Sequence, residues 1–437
     1  VTGLSQQFMI KEYDSFTRNV AVSSNQYHSL PESTFDRLEQ FILLKKQSAD
    51  TDTLELMTIS SKRGIGKIIS AKNYVGLITM DDGTQIEILP KLYSKEHESS
   101  EVETKRVFLD MLKFLKEIPY KTFKMSNLHI EKNNIFEIFI RMFIEEIYVL
   151  VKRGLKSAYI EHEDNERYYK GKLNFSQHIK SNYVHKERFY IEYDIFSVNR
   201  PENRLIKTTL DFLRKVSSSR INKKDLIVLL ASFDAVEVSE NPDQEFEKVI
   251  SDRNMKDYEM ILQWCSIFLK NKSFTTFQGG GVAFALLFPM EKVFESYVAG
   301  KLNKVLDKAH YQMKTQDRLY HLFDKPMRFL LKPDIVVKDR DNCSIVLDTK
   351  WKILYPNQSN YGISQADMYQ MYVYNKKYSS KMVFLLYPWT ISMCTIDESI
   401  MYLSEDDVMV HICFIDLINI NTSIHDLANK IDEMMRA

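Results

Sequence analysis

Two carboxylates set inside apolar β-runs constrain this chain more than any other feature. Leu331-Lys332-Pro333-Asp334-Ile335-Val336-Val337 is followed by the polar cluster Lys338-Asp339-Arg340-Asp341-Asn342 and then by Ile345-Val346-Leu347-Asp348-Thr349-Lys350. The pattern predicts two strands, Met327 to Val337 and Cys343 to Lys350, joined as an antiparallel hairpin. A carboxylate buried in such a run costs on the order of several kcal/mol unless it is neutralised or liganded. Side chains alternate along a strand, so Lys350 shares the face of Asp348. Asp334, Asp348 and Lys350 then make a hard-oxygen site beside one fixed cation, which is what Mg²⁺-dependent phosphodiester hydrolysis requires. Asp334 and Asp348 would hold the metal, while Lys350 positions the nucleophile and stabilises the developing anion. The competing readings are a solvated charged turn and a buried Asp348–Lys350 salt bridge.

The flanking segments add to the first reading. Met290, Val293, Phe294, Tyr297, Val298, Leu302, Val305 and Leu306 form one stripe, so a long amphipathic helix opens at Pro289. On its flank Glu291 and Glu295 are four apart, and either can reach the hairpin. Downstream, Ser364-Gln365-Ala366-Asp367 opens a second helix in the manner of a capping box, with Asp at the fourth position. On that helix Gln370 and Tyr374 share a face, with Lys376 and Lys377 beyond, a combination suited to a phosphate backbone. A buried-type strand, Lys381 to Tyr387, follows and ends at Pro388.

The rest of the chain divides around this block. Tyr74 to Met80 and Gln85 to Leu89 flank the turn cluster Asp81-Asp82-Gly83-Thr84, a β-hairpin pattern, and Arg63-Gly64-Ile65-Gly66-Lys67 marks another tight turn. The charged stretch from Ser94 to Glu101 reads as a linker. Beyond it Ile135, Phe136, Phe139, Met142, Phe143, Ile147, Leu150 and Val151 recur at helical spacing, and Gly154 supplies a stop. Phe189 to Phe196 reads as extended, and Asn203 to Val216 and Asp257 to Leu269 as helices. A polar, glycine-rich stretch, Ser273 to Gly281, opens the last block. The expected architecture is α+β and multidomain: a β-rich domain over 1–105, an α-rich middle over 106–275 and an α/β domain over 276–437.

Charge balance limits the mode of action. Lys+Arg 59 against Asp+Glu 59 gives no global cationic body, so nucleic acid must be met by local patches. Cys265, Cys343, Cys394 and Cys413 form no C-x-x-C pair, which fits reduced thiols in a cytoplasmic protein and argues against structural zinc. Val1-Thr2-Gly3 does not open a secretory signal, the absent initiator Met suggests a trimmed chain, and no stretch suits a membrane span. Neither Gly66-Lys67 nor Gly171-Lys172 sits in a G-x-x-x-x-G-K-[ST] frame, so no nucleotide site is expected. His178 and His185 lack a third ligand nearby, and a structural or phosphate-contacting role is preferred to metal binding. Arg200 and Arg204 either meet phosphate or pair internally with Glu202 or Asp194.

Glu295, Asp334, Asp348-Thr349-Lys350 and Gln370-x-x-x-Tyr374 resemble the PD-(D/E)xK nuclease core, in the branch with a Q-x-x-x-Y motif. Tyr74-Val75-Gly76-Leu77-Ile78, Ile86-Glu87-Ile88-Leu89-Pro90-Lys91, Lys170-Gly171-Lys172-Leu173, the stretch from Tyr193 through Asn199-Arg200-Pro201-Glu202-Asn203-Arg204, and Phe288 to Glu295 resemble the McrC family. The resemblance runs from about Arg63 to Pro388, and the Asn-Arg-Pro-Glu-Asn-Arg string is its most specific part.

The resemblance implies a C-terminal restriction-endonuclease-like core and the nuclease subunit of a McrBC-type, 5-methylcytosine-dependent restriction system. It implies Mg²⁺ held by Asp334, Asp348 and Glu295, DNA positioned by Gln370, Tyr374 and Lys377, and an AAA+ GTPase ring as partner. The hairpin tip Asp81, Asp82 and Gly83 is the expected docking point for that ring. Two rivals from other classes are a non-catalytic activator of the partner GTPase and a stand-alone repair nuclease.

Overall fold

The runs Tyr74–Met80 and Gln85–Leu89 form the expected hairpin, and Gly83 takes the left-handed φ of 84° that a tight turn asks of glycine. In the computed structural model the described residues are 6–19, 26–47, 57–80, 83–93, 100–115, 118, 134–249, 255–269, 282–341, 343–393 and 400–436. Asp81, Asp82, Asn342, Cys394, the linker core 94–99 and the glycine-rich stretch 273–281 lie outside them.

Contacts group the chain into two compact units, not three consecutive blocks. One comprises Val1–Thr122, Ile130–Ile135 and Thr275–Ala437, the other Phe123–His129 and Phe136–Phe274. Strand Val282–Pro289, which its sequence position assigns to the last block, pairs antiparallel with Tyr74–Met80. It completes a four-stranded sheet in the order Gln7–Lys11, Gln85–Leu89, Tyr74–Met80, Val282–Pro289. The close approach is possible because residue 76 is glycine. A Cβ there would lie 2.0 Å from the Leu286 carbonyl oxygen, and φ is 147°.

A second four-stranded sheet, ordered Tyr27–Ser29, Ser15–Thr17, Gly66–Ala71 and Met57–Lys62, shares a core with the first. Ile10, Phe16, Leu38, Ile69, Tyr74, Ile78, Ile88 and Leu287 meet there, with Phe35 and Leu38 supplied by helix Glu32–Gln47.

The C-terminal part of this unit is a six-stranded mixed sheet in the order Gln312–Thr315, Ile335–Lys338, Ser344–Thr349, Ser380–Pro388, Met409–Ile415, Ile400–Leu403. Its three central strands from Ser344 onward run parallel, and both edges are antiparallel. Helix Gln365–Tyr378 makes the crossover between the first two parallel strands, as such a connection requires. It packs Met371, Tyr374 and Tyr378 against Val336, Val346, Val383, Leu385, Val410 and Ile412. Helix Met290–Val305 packs on strand Ser344–Thr349 and on the C-terminal helix Ile420–Arg436.

The expected single strand over 327–337 is divided. Met327–Leu330 pairs with His321–Asp324 in a separate two-stranded hairpin, and only Ile335–Lys338 joins the main sheet. Phe329 turns to φ 59°, Leu331 donates its N–H back to Tyr320 O at 2.9 Å, and Pro333 has no N–H to give a ladder.

The second unit combines helices Ile135–Arg153 (from Phe136 on), Pro201–Val216, Arg220–Ser232 and Lys256–Leu269 with a three-stranded sheet, so the α-rich expectation leaves out Ala158–Glu166 and its partners Phe189–Ser197 and Lys172–Leu173. Phe136, Phe139, Phe143, Trp264 and Phe268 meet in its core, Trp264 stacked on Phe268 and the others edge to face or tilted. The Asn-Arg-Pro-Glu-Asn-Arg string is structural wiring. Arg200 forks onto Glu202 at 2.8 and 3.0 Å, and Arg204 reaches Glu245 at 2.6 Å, so both arginines pair internally. Buried Asn203 donates to Val198 O and Lys156 O and accepts from Tyr258.

Candidate active site

The main sheet brings the two sequence-predicted aspartates face to face. Its ladder pairs Ile335 with Leu347, so Asp334, one residue before the strand, lies opposite Asp348. Asp348 is 2% exposed. Asp334 Oδ2 accepts from the Thr349 amide at 2.7 Å and from its hydroxyl at 2.6 Å, which fixes the carboxylate at the strand end. Lys350 returns to the face of Asp348, with Nζ 2.5 Å from Oδ2. That ion pair exists, so the salt-bridge reading and the metal-site reading share one geometry.

The two helices deliver their side chains to this strand end. Glu295, not Glu291, belongs to the cluster: Glu291 is exposed, whereas Glu295 is half-buried and accepts from Gln316 Nε2 at 2.5 Å. Gln316 also donates its backbone N–H to Asp334 O at 2.9 Å, a link that sequence reasoning missed. Ser364 caps its helix by accepting from the Asp367 amide, as the sequence pattern predicts. From that helix Gln370 Oε1 accepts from Lys350 Nζ at 3.0 Å, and Gln370 Nε2 donates to Tyr374 at 2.9 Å. Asp348, Lys350, Gln370 and Tyr374 therefore form one polar chain from strand to helix. Lys377 pairs with Asp324 at 2.9 Å, and Lys376 pairs with Asp406.

The electrostatics are those of an acidic cluster short of positive charge. Burial, then the neighbouring Asp334 charge, pushes Asp348 up to about 7. Glu295 is likewise pushed up to about 7 by burial, then by Asp334 and Asp348. Asp334 is raised by burial, against the opposing hydrogen bonds of Thr349. Burial disfavours the Lys350 ammonium, but Asp348 and then Asp334 override it and hold Lys350 above its usual value. Tyr374 is raised by burial and by Asp348.

Among the described residues no three His, Cys, Asp or Glu side chains close into a complete metal cage. Mg²⁺ does not need one, since it keeps several waters and is typically held by one or two carboxylates plus substrate phosphate. Asp348 Oδ2 is buried and meets the Lys350 ammonium but no other donor among the described residues, an oxygen with capacity left for a cation. Asp334 and Asp348 thus fit a divalent ion, with Glu295 beside them.

A remote residue also reaches this strand. Glu12 is fully buried and accepts from Trp351 Nε1 at 2.9 Å and from the Lys91 amide at 3.2 Å. Burial pushes its carboxyl up to about 8, against the Trp351 and Lys91 hydrogen bonds.

The histidine candidates belong to the second unit. His178 Nδ1 meets Asn182 and the Tyr190 amide, and its ring stacks on Phe189, a structural role; His185 is exposed beside Glu187. In the second unit the three-stranded sheet and its helix Phe175–Ser181 leave large apolar side chains exposed, among them Tyr168, Tyr169, Phe175, Tyr183 and Val184.

A comparison with curated proteins gives no match. Among solved structures, a chain from the refined half-complex of the tetradecameric assembly of Thermococcus gammatolerans McrB AAA+ hexamers with bound McrC is similar, with a TM-score of 0.72, 19% identity and coverage of 98% of this chain and 100% of that one. A chain from the cryo-EM structure of the Thermococcus gammatolerans McrBC complex matches with a TM-score of 0.51 and 20% identity over 69% of this chain and 89% of that one. At these identities the likeness is one of fold. A family profile described as McrBC 5-methylcytosine restriction system component matches residues 69–388, most of the sequence and the span that carries every residue of the polar chain. The chain belongs to that family.

Proposed function

We propose that this chain is the endonuclease subunit of a modification-dependent, McrBC-like restriction system, cutting DNA phosphodiesters with Mg²⁺ and working with an AAA+ GTPase ring that it stimulates. The observation that carries the reading is the pair of half-buried Asp334 and buried Asp348 at one strand end, with Lys350 held between Asp348 and Gln370. The mixed sheet crossed by helix Gln365–Tyr378 is the scaffold expected of a PD-(D/E)xK core.

In this mechanism Asp334 and Asp348 would hold the metal, with Glu295 as the third carboxylate of the cluster. The bound ion would polarise the scissile phosphate and lower the pKa of a water. Thr349 keeps Asp334 in its rotamer. Lys350 directs its ammonium toward the attacked phosphate, where it orients the incoming water and offsets the growing negative charge. Gln370 holds Lys350 in that direction, and Tyr374 in turn holds Gln370.

The partner is inferred from the solved relatives, in which McrB AAA+ hexamers carry bound McrC. This sequence has no P-loop frame of its own, consistent with a separate motor. Docking through the hairpin tip at Asp81, Asp82 and Gly83 is one proposal. The exposed aromatic side chains of the second unit favour a second, because apolar surface of that kind marks protein interfaces.

The test is cleavage of methylated and unmethylated plasmid in Mg²⁺, with and without the neighbouring AAA+ protein and GTP. Cutting that needs both the partner and Asp348 supports the proposal. Undiminished GTPase stimulation without any cutting would assign the chain as an activator, and robust cutting by the chain alone would assign it as a stand-alone nuclease.

A further inference from the structure

The segment between Gln316 and Asp334 leaves the candidate site and returns to it. At its start Gln316 bonds Glu295 through its side chain and Asp334 through its backbone; at its end stands Asp334 itself. Between them His321–Asp324 and Met327–Leu330 form an isolated two-stranded hairpin, and residues 323 to 330 are all exposed.

The composition of this tip is unusual for a solvated turn. Phe323 is 56% exposed, Met327 69% and Phe329 71%. The two phenylalanine rings meet edge to face with centroids 5.9 Å apart. Phe329 holds φ 59°, a left-handed conformation unfavourable for a bulky side chain, at a position where no burial compensates for it. Along the same segment Arg318, Lys325, Arg328 and Lys332 have no acidic partner among the described residues, while Asp324 is neutralised by Lys377 at 2.9 Å. The surface is therefore aromatic and net cationic, in a chain whose overall charge is zero.

We infer that this hairpin is a DNA-contacting wedge beside the scissile phosphate. Phe323 and Phe329 stack on bases, and Lys325, Arg328 and Lys332 meet the phosphates of the same duplex. Aromatic stacking tolerates any sequence, and phosphate pairing reads none, so the element would anchor DNA at the cut without selecting the site. The inference rests on the nuclease reading above and adds the element that holds its substrate.

The experiment measures binding of a fluorescein-labelled duplex by the full chain in EDTA, where no cleavage is needed, with 2-aminopurine in a second duplex to report unstacking. Phe323→Ser with Phe329→Ser should weaken binding roughly tenfold and remove the 2-aminopurine signal. Lys325→Ala with Arg328→Ala should lower the slope of log affinity against log salt by about two. Both variants are exposed and should keep the thermal melt of the parent chain. Unchanged affinity and salt slope in both variants, or no duplex binding by the parent chain, would overturn the inference. Unchanged DNA binding with loss of co-elution with the AAA+ protein, or loss of self-association, would overturn it in favour of a protein partner. Hairpin-dependent binding without Mg²⁺-dependent cutting by the assembled system would instead sink the nuclease reading and leave the wedge standing.

Discussion

Lys350 and Gln370 are joined by a hydrogen bond of 3.0 Å, although one ends a strand and the other sits in the middle of the following helix. The bond ties the direction of the ammonium to the crossover helix, and Tyr374 one turn later secures the glutamine. Lys350 also lies 2.5 Å from Asp348, so its head group is held from two sides. A flexible four-carbon side chain is thereby reduced to one orientation.

Gln370→Ala should consequently slow cleavage by roughly ten- to hundredfold, since a misdirected lysine is still present. Tyr374→Phe should slow it less, because it frees only the outer end of the relay. Single-turnover cleavage with the assembled system measures both. A loss in either as complete as that of Lys350→Ala would mean that the helix does more than orient.

Asp348→Asn separates the metal-site reading from the salt-bridge reading. Asp348 has a folded pKa of about 7 against an ordinary value of 3.8, raised by burial and then by Asp334. The folded state thus holds this proton more tightly, and at pH 8 without metal the ionised group opposes folding. Neutralising it should abolish cleavage while leaving the melting temperature in EDTA equal to or above that of the parent chain. A lower melting temperature would show that the pair with Lys350 is a structural bridge.

Gly76→Ala should destabilise the first unit by about 2–4 kcal/mol. The added Cβ meets the backbone oxygen of Leu286 at 2.0 Å, and backbone cannot rotate aside as a side chain can. Urea denaturation compares the variants, and a change within about 0.5 kcal/mol would mean that strand Val282–Pro289 shifts freely.

What the sequence revealed and what it hid follow from range. Hairpin Tyr74–Leu89 is written in two short apolar runs about a turn cluster, and the shared face of Asp348 and Lys350 in the alternation of a strand. Gln370 and Tyr374 are legible because four residues make one helical turn. Periodicity could not decide between Glu291 and Glu295, since both sit on the flank of one stripe and only Gln316, from another strand end, distinguishes them. The break at Phe329 was hidden because an apolar run continues through it. The pairing of Val282–Pro289 with Tyr74–Met80, and of Glu12 with Trp351, joins residues too far apart for any local pattern to report.

Glu12 gives the last prediction, on stability against pH. Its folded pKa is about 8 against an ordinary value of 4.5, raised by burial despite the hydrogen bonds from Trp351 and the Lys91 amide. An acid raised in this way keeps its proton in the folded state while the unfolded chain releases it. From about pH 4.5 to about pH 8 the unfolded state therefore binds fewer protons, and stability falls as pH rises, levelling off above pH 8. Over that window the loss is on the order of several kcal/mol at most. Glu12→Gln should remove this part of the slope. The substituted side chain can still accept from Trp351 through its carbonyl oxygen, and its amide group facing the Lys91 N–H adds a penalty that does not vary with pH. The carboxyls of Asp348 and Glu295 are raised as well and slope the same way, but they are common to both proteins. Urea denaturation at pH 6 and pH 8.5 gives the difference, with the larger loss expected in the parent chain. Equal losses in the two proteins would mean that Glu12 is already ionised in the folded state and that Trp351 and the Lys91 amide suffice to hold its charge.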